Sequence, residues 1–179
     1  MLERVAIVVA ALAISIGIIA LLSGGLLAGR DDPGVSASGG ALGVKFRDLG
    51  HAHLAPGSLH PVYNSQPPTS GAHVPVAVEH DDRQLSVDQL LEALEVGDVV
   101  IMYGTKSPPP GLQSLANAVS SPFTPALAAA GQAVVLDHQP GTSGLVELAW
   151  TRRLKAASVS DPNLRSFAQQ WLGRGAPLR

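Results

Sequence analysis

The chain has 179 residues, a formal net charge of −2 and 46% hydrophobic residues, which suits one domain with a single core and is too short for two beside an N-terminal apolar segment. It contains no cysteine, and this excludes disulfides, thiol catalysis, Cys-x-x-Cys redox chemistry, lipoprotein attachment and cysteine-based zinc sites. Residues 30–149 hold five Lys/Arg against twelve Asp/Glu, a net of −7, while residues 150–179 hold six against one, a net of +5; no long basic stripe results, so nucleic acid is not an expected partner.

Val5 to Leu22 runs 18 residues without a charge, and the apolar character continues to Ala28. At ~1.5 Å per residue, a helix over those residues reaches roughly 36 Å, against a hydrocarbon core of about 30 Å. A transmembrane anchor is therefore expected over residues 1–29. A cleaved secretory signal is the alternative, although its apolar region normally spans only about 7–15 residues. Few residues precede the span and the folded mass follows it, so the expectation is a single-pass protein of the cell membrane with its bulk outside the cytoplasm. Residues 30–43, RDDPGVSASGGALG, have the composition of a flexible linker, and a globular domain is expected over residues 44–179.

Residues 44–84 read as loop with short extended pieces at 44–49 and 74–78, because the prolines remove donors and push preceding residues toward extended geometry. Five of the six histidines fall here, between His51 and His80. Ser86 and Gln89 have the spacing of a capping box, Leu90, Leu91 and Leu94 form an apolar face, and Gly97 closes the helix. DVVIMYG, 98–104, reads as a buried strand. Helical spacing recurs at Leu112, Leu115, Ala116 and Val119 and again over 126–130. A strand at 133–137, turn chemistry in HQPGTSG and a returning strand at 145–151 imply a hairpin. Asp161 as N-cap, Pro162 at the first helical position and a Leu164, Phe167, Ala168, Trp171, Leu172 stripe define a last helix, and the cationic C-terminal residues are expected on its outer face. The fold class is α/β (α+β): a mixed sheet covered by helices, with thioredoxin-like order as one solution. No internal repeat is present.

The segment YNSQPPTSGAH, Tyr63 to His73, together with His53–Gly57 and Leu90–Gly97, resembles the bacterial family of the domain of unknown function 3105, whose members read H-V-x-x-G, then YxSxPPTSGPH, then L-V-H-x-LEHG. The resemblance covers roughly residues 45–175 and implies a membrane-anchored or secreted protein, without implying an activity. Where the family pattern has two helix histidines, this chain has Glu92 and Val96.

Three functions follow as expectations. The first is a transition-metal site, copper or zinc, since imidazole suits both ions and clustered histidine in a short tract favours metal binding. Its candidate ligands are His53, His73, Glu92, Glu95 and His51; His51 and His53 share one face of an extended segment, and Glu92 and Glu95 lie one helical turn apart. The second is a recognition module in which the loop Tyr63, Pro67, Pro68, Thr69, Ser70 and Gly71 docks an envelope protein or cell-wall component, because a Pro-fixed loop loses little entropy on binding. The third is a hydrolase using Ser70 or Thr69 with His73 as base, which lacks the orienting third group and the G-x-S-x-G elbow. Binding is expected over catalysis.

Overall fold

In the computed structural model, residues 40–177 are described. The expected anchor at residues 1–29 lies outside them, as does all of the linker except residues 40–43. No helix among the described residues is long and apolar enough to cross a membrane.

Nine elements follow in order: β1 (Val44–Lys45), α1 (Val87–Val96), β2 (Val99–Tyr103), α2 (Leu112–Ser120), α3 (Pro125–Ala129), β3 (Val134–His138), β4 (Leu145–Ala149), β5 (Arg152–Ala156) and α4 (Pro162–Trp171). They form a mixed α/β fold with a five-stranded sheet, ordered β1-β5-β4-β2-β3, and four helices. β2 and β3 are parallel, and the β2–β4, β4–β5 and β1–β5 pairs are antiparallel.

Side chains alternate across each strand, so neighbouring residues feed opposite layers. Val100, Met102, Val135, Val146 and Leu148 pack with Leu90, Ala93 and Leu94 of α1 and with Val78, Leu85 and Trp150. Val99, Ile101, Tyr103, Leu136, Leu145 and Ala149 pack beneath α2 and α4, against Leu112, Ala116, Leu164, Phe167 and Ala168. Both layers are closed, which is why β2 and β4 are buried along their whole length.

The caps behave as their residues dictate. Ser86 Oγ accepts from the Gln89 N–H at 3.1 Å while Gln89 Oε1 accepts from the Ser86 N–H at 3.1 Å, completing the capping box of α1. Gly97 ends α1 in the left-handed conformation (φ 119°), which costs glycine no Cβ clash. Asp161 Oδ1 accepts from the Asn163 N–H at the start of α4.

Two expectations are corrected. The hairpin was expected between the strands at 133–137 and 145–151, but β2 lies between β3 and β4, and the hairpin is β4–β5. β3 runs parallel to β2, so the chain leaves it at the Tyr103 end of β2 and must arch over that end to reach β2's other side. The arch presses on Gly104, where an added Cβ would stand 2.3 Å from the Thr142 carbonyl oxygen. The second correction concerns charge: Arg152, Arg153 and Lys155 belong to β5 rather than to the last helix. The two guanidinium groups pack on aromatic faces, Arg152 over Trp171 at 4.7 Å and Arg153 over Phe46 at 4.8 Å.

Candidate metal centre

Residues 46–84 contain no named strand or helix, and α1 supplies the surface on which their histidines lie. Burying Leu90, Leu91, Ala93 and Leu94 leaves Asp88, Glu92 and Glu95, at i, i+4 and i+7, as one acidic stripe. Four histidines face it. His60 Nε2 is 2.8 Å from Asp88 Oδ1, His51 Nδ1 is 3.0 Å from Glu95 Oε1, and His53 and His73 point Nε2 at Glu92 and Glu95.

His53 and His73 are neighbours because their segments pair as a short parallel bridge. The His73 N–H donates to Ala52 O at 3.2 Å, and the Leu54 N–H donates to His73 O at 2.7 Å. Beneath this bridge Tyr63 Oη donates to Ala72 O at 2.9 Å, and its ring lies where a Cβ on Gly71 would be, 2.8 Å from the nearest ring carbon.

One donor atom from each of His53, His73, Glu92 and Glu95 lies within 4.8 Å of all the others. His73 is fully buried, and its Nδ1 is 3.0 Å from Gly71 O. A carbonyl oxygen only accepts, so Nδ1 carries the proton and Nε2 turns to the carboxylates: 3.3 Å to Glu92 Oε2 and 3.4 Å to Glu95 Oε2. His53 Nε2 stands 3.4 Å from Glu95 Oε2 and 4.0 Å from Glu92 Oε2. Glu95 Oε2 is buried and, despite these distances, makes no hydrogen bond. Four Lewis bases thus surround one point, and no Lys or Arg among the described residues pairs with either carboxylate. A tetrahedral ion with bonds of about 2.0–2.1 Å sets its ligand atoms roughly 3.3–3.4 Å apart, close to three of these four separations.

The remaining residues divide plainly. His51 is not among the four converging donors, and its Nδ1 lies 3.0 Å from Glu95 Oε1 beside them. Its alternation with His53 nevertheless brings both rings to one carboxylate. Pro68, Thr69, Ser70 and Gly71, expected to form a recognition surface, are buried. Ser70 Oγ accepts from the Leu49 N–H at 3.1 Å and donates to Arg47 O, and the Thr69 carbonyl accepts from the Thr151 N–H at 2.9 Å. The motif therefore ties the loop to the β4–β5 turn, with both hydroxyls buried and both His73 nitrogens directed away from them. His80 is exposed, and His138 stacks on Tyr103 at 5.4 Å.

Asp88 was not singled out from the sequence, although its spacing from Glu92 carries the signal. Burial works to raise its carboxyl, but the Val74 N–H and His60 outweigh that and hold it below the usual range. Burial, then Asp88, pushes the Tyr63 phenol up.

Over residues 60–177 the chain matches the family described as protein of unknown function DUF3105. The chain belongs to this family. The DUF3105 match takes in Tyr63–His73 and all of α1, and His51 and His53 precede it. Of the two residues that stand where the resemblance implies helix histidines, Glu92 is one of the converging donors and Val96 is not. No curated protein and no solved structure matches the chain.

Proposed function

We propose that this chain is a membrane-anchored, extracytoplasmic metal-binding protein, with His53, His73, Glu92 and Glu95 holding one transition ion. The observation that carries the reading is the convergence of four donor atoms on one point, one of them a buried carboxylate oxygen without a hydrogen bond. Two features add support. His73 donates its second ring N–H to a backbone carbonyl, the arrangement that orients metal-ligating histidines. The mixed imidazole and carboxylate set, with three of its four imidazole–carboxylate separations near a tetrahedral edge, supports zinc over a square-planar copper(II) ion.

The role is binding rather than catalysis: four protein donors fill a tetrahedron and leave no position for a substrate. The sheet order β3-β2-β4-β5, with β2 and β3 parallel and α2 and α3 between them, supports a thioredoxin-like order, and without cysteine it carries no thiol–disulfide chemistry. The apolar segment Val5–Ala28 supplies the anchor.

The test is metal analysis of the untagged full-length chain in mild detergent after equilibration with zinc or copper and gel filtration. About one equivalent of zinc, lost in His73→Ala, is the expected result, since a formed site binds stoichiometrically. Substoichiometric metal in the wild type, or equal retention by His73→Ala, contradicts the reading.

Docking of a cell-envelope partner is a second reading. It is favoured by Leu59 and Val62, which are 95% and 96% exposed, and not by the buried Pro68–Gly71 segment. A photoreactive residue at position 59 should cross-link one defined partner in native membranes, and recovery of none counts against it.

A further inference from the structure

The four donors are not held alike. His73 is fully buried, fixed at Nδ1 by Gly71 O and along its backbone by Ala52 and Leu54. The Glu95 side chain is 16% exposed, and Oε1 is held by His51 Nδ1 at 3.0 Å. The Glu95 carbonyl also accepts from the Ala176 N–H at 2.8 Å, which pins this turn of α1. These two donors face the centre through contacts that need no ion.

His53 is the opposite case. Its side chain is 49% exposed, and its ring lies against the two carboxylates and, in a T-shaped arrangement, the His73 ring, centroid to centroid 5.6 Å. No hydrogen bond among the described residues fixes its Nδ1. Glu92, at 22% exposure, is intermediate. Exposure therefore rises across the centre from His73 through Glu95 and Glu92 to His53, which gives an ion one open side. From Leu49 to Val78 the sequence has no Asp, Glu, Lys or Arg, so this segment brings no ammonium or guanidinium to the open side to compete for the carboxylates or repel an arriving cation.

We propose that His53 is the exchange ligand of this centre. His73 and Glu95 form the fixed base, and the ion enters or leaves when His53 Nε2 lets go and a nitrogen or oxygen donor of an external chelator takes its position. The metal–nitrogen bond to His53 breaks first, a chelator donor then fills the vacated position, and the bonds to Glu92, Glu95 and His73 are exchanged one for one for further chelator donors, with no electron transferred. The inference rests on the metal reading above and adds to it a division of labour: His73 and Glu95 set retention, and His53 sets the transfer rate.

The test loads the full-length chain in detergent with one equivalent of zinc and mixes it with the chromophoric chelator pyridylazoresorcinol in a stopped-flow instrument. For the wild type, the transfer rate should level off at high chelator concentration, at the rate of His53 dissociation. His53→Ala should bind zinc more weakly than the wild type but far less weakly than His73→Ala, and release it about 10-fold faster or more, without the plateau. His53→Gln should fall between the two, and His73→Ala should fail to hold zinc. The inference is overturned if His53→Ala loses zinc as completely as His73→Ala, or if it releases zinc at the wild-type rate. A wild-type chain that never takes up zinc overturns the metal reading itself, a result distinct from either.

Discussion

The two layers flanking the sheet each bury carboxylate oxygens that lack a hydrogen-bond partner, and they do so in different company. On the α1 side, Glu95 Oε2 is such an atom, with the Nε2 atoms of His53 and His73 3.4 Å away and Glu92 beside it. On the α2 and α4 side, both oxygens of Glu147 are unpartnered, flanked across the sheet by Ile101 and Leu154. Burial, and secondarily the charge of Asp161, pushes Glu147 up to about 9, so it keeps its proton at neutral pH. An orphan buried oxygen becomes a candidate site where other donors converge on it; alone, it is resolved by protonation.

The largest effects should come from the convergent side. His73→Ala should weaken zinc binding at least about 100-fold in a competition titration, because it removes the best-oriented donor, whereas His51→Ala should keep the stoichiometry and weaken affinity by about 10–100-fold, as expected for a group that only holds a ligand in place. Equal losses from the two substitutions would erase the distinction between ligand and support.

Glu147→Leu should leave zinc affinity unchanged and raise stability at pH 8 by about 1–3 kcal/mol in denaturant unfolding, because an unpaired polar group is removed from the core. The sign with pH follows from proton binding. Below its ordinary value of 4.5, Glu147 is protonated in both folded and unfolded chains; between 4.5 and about 9 only the folded chain keeps the proton, so stability falls as pH rises through that window. Burial raises Asp98 to about 8 and Asp137 to about 6 from an ordinary 3.8, and both act in the same direction. Wild-type protein should therefore be more stable at pH 5 than at pH 8, and Glu147→Leu should narrow that gap. An unchanged gap would mean that Glu147 is not held neutral. The smallest effect belongs to Ser86→Ala, which removes the α1 cap and should cost about 1 kcal/mol while sparing zinc stoichiometry.

Much of this was legible in the residues, for identifiable reasons. Ser86, Gln89 and Gly97 mark α1 through chemistry local to the helix ends, and Asp161 with Pro162 does the same for α4. The placing of His51 beside His53 and of Glu92 beside Glu95 is local geometry, i, i+2 alternation and one helical turn, whereas the pairing of His53 with His73 across a bridge is not. β5 was not readable: RRLKA is mostly charged and partly exposed, and its place comes from pairing with β4 on one side and β1 on the other. The order of β3, β2 and β4 is likewise non-local, because a turn-rich segment such as residues 138–144 can close a hairpin or arch over another strand. The burial of Thr69 and Ser70 was missed because their hydroxyls and carbonyls satisfy the backbone of residues far along the chain, Arg47, Leu49 and Thr151, and a polar loop gives no sign of that from its own composition.

The central claim is most directly tested by X-ray absorption at the zinc edge on the full-length chain loaded with one equivalent. Four nitrogen or oxygen neighbours at about 2.0–2.1 Å, with the outer-shell scattering of two imidazoles that falls to one in His53→Ala, is the predicted spectrum. A six-coordinate, oxygen-only shell, or imidazole scattering unaltered by loss of both His53 and His73, would contradict the account.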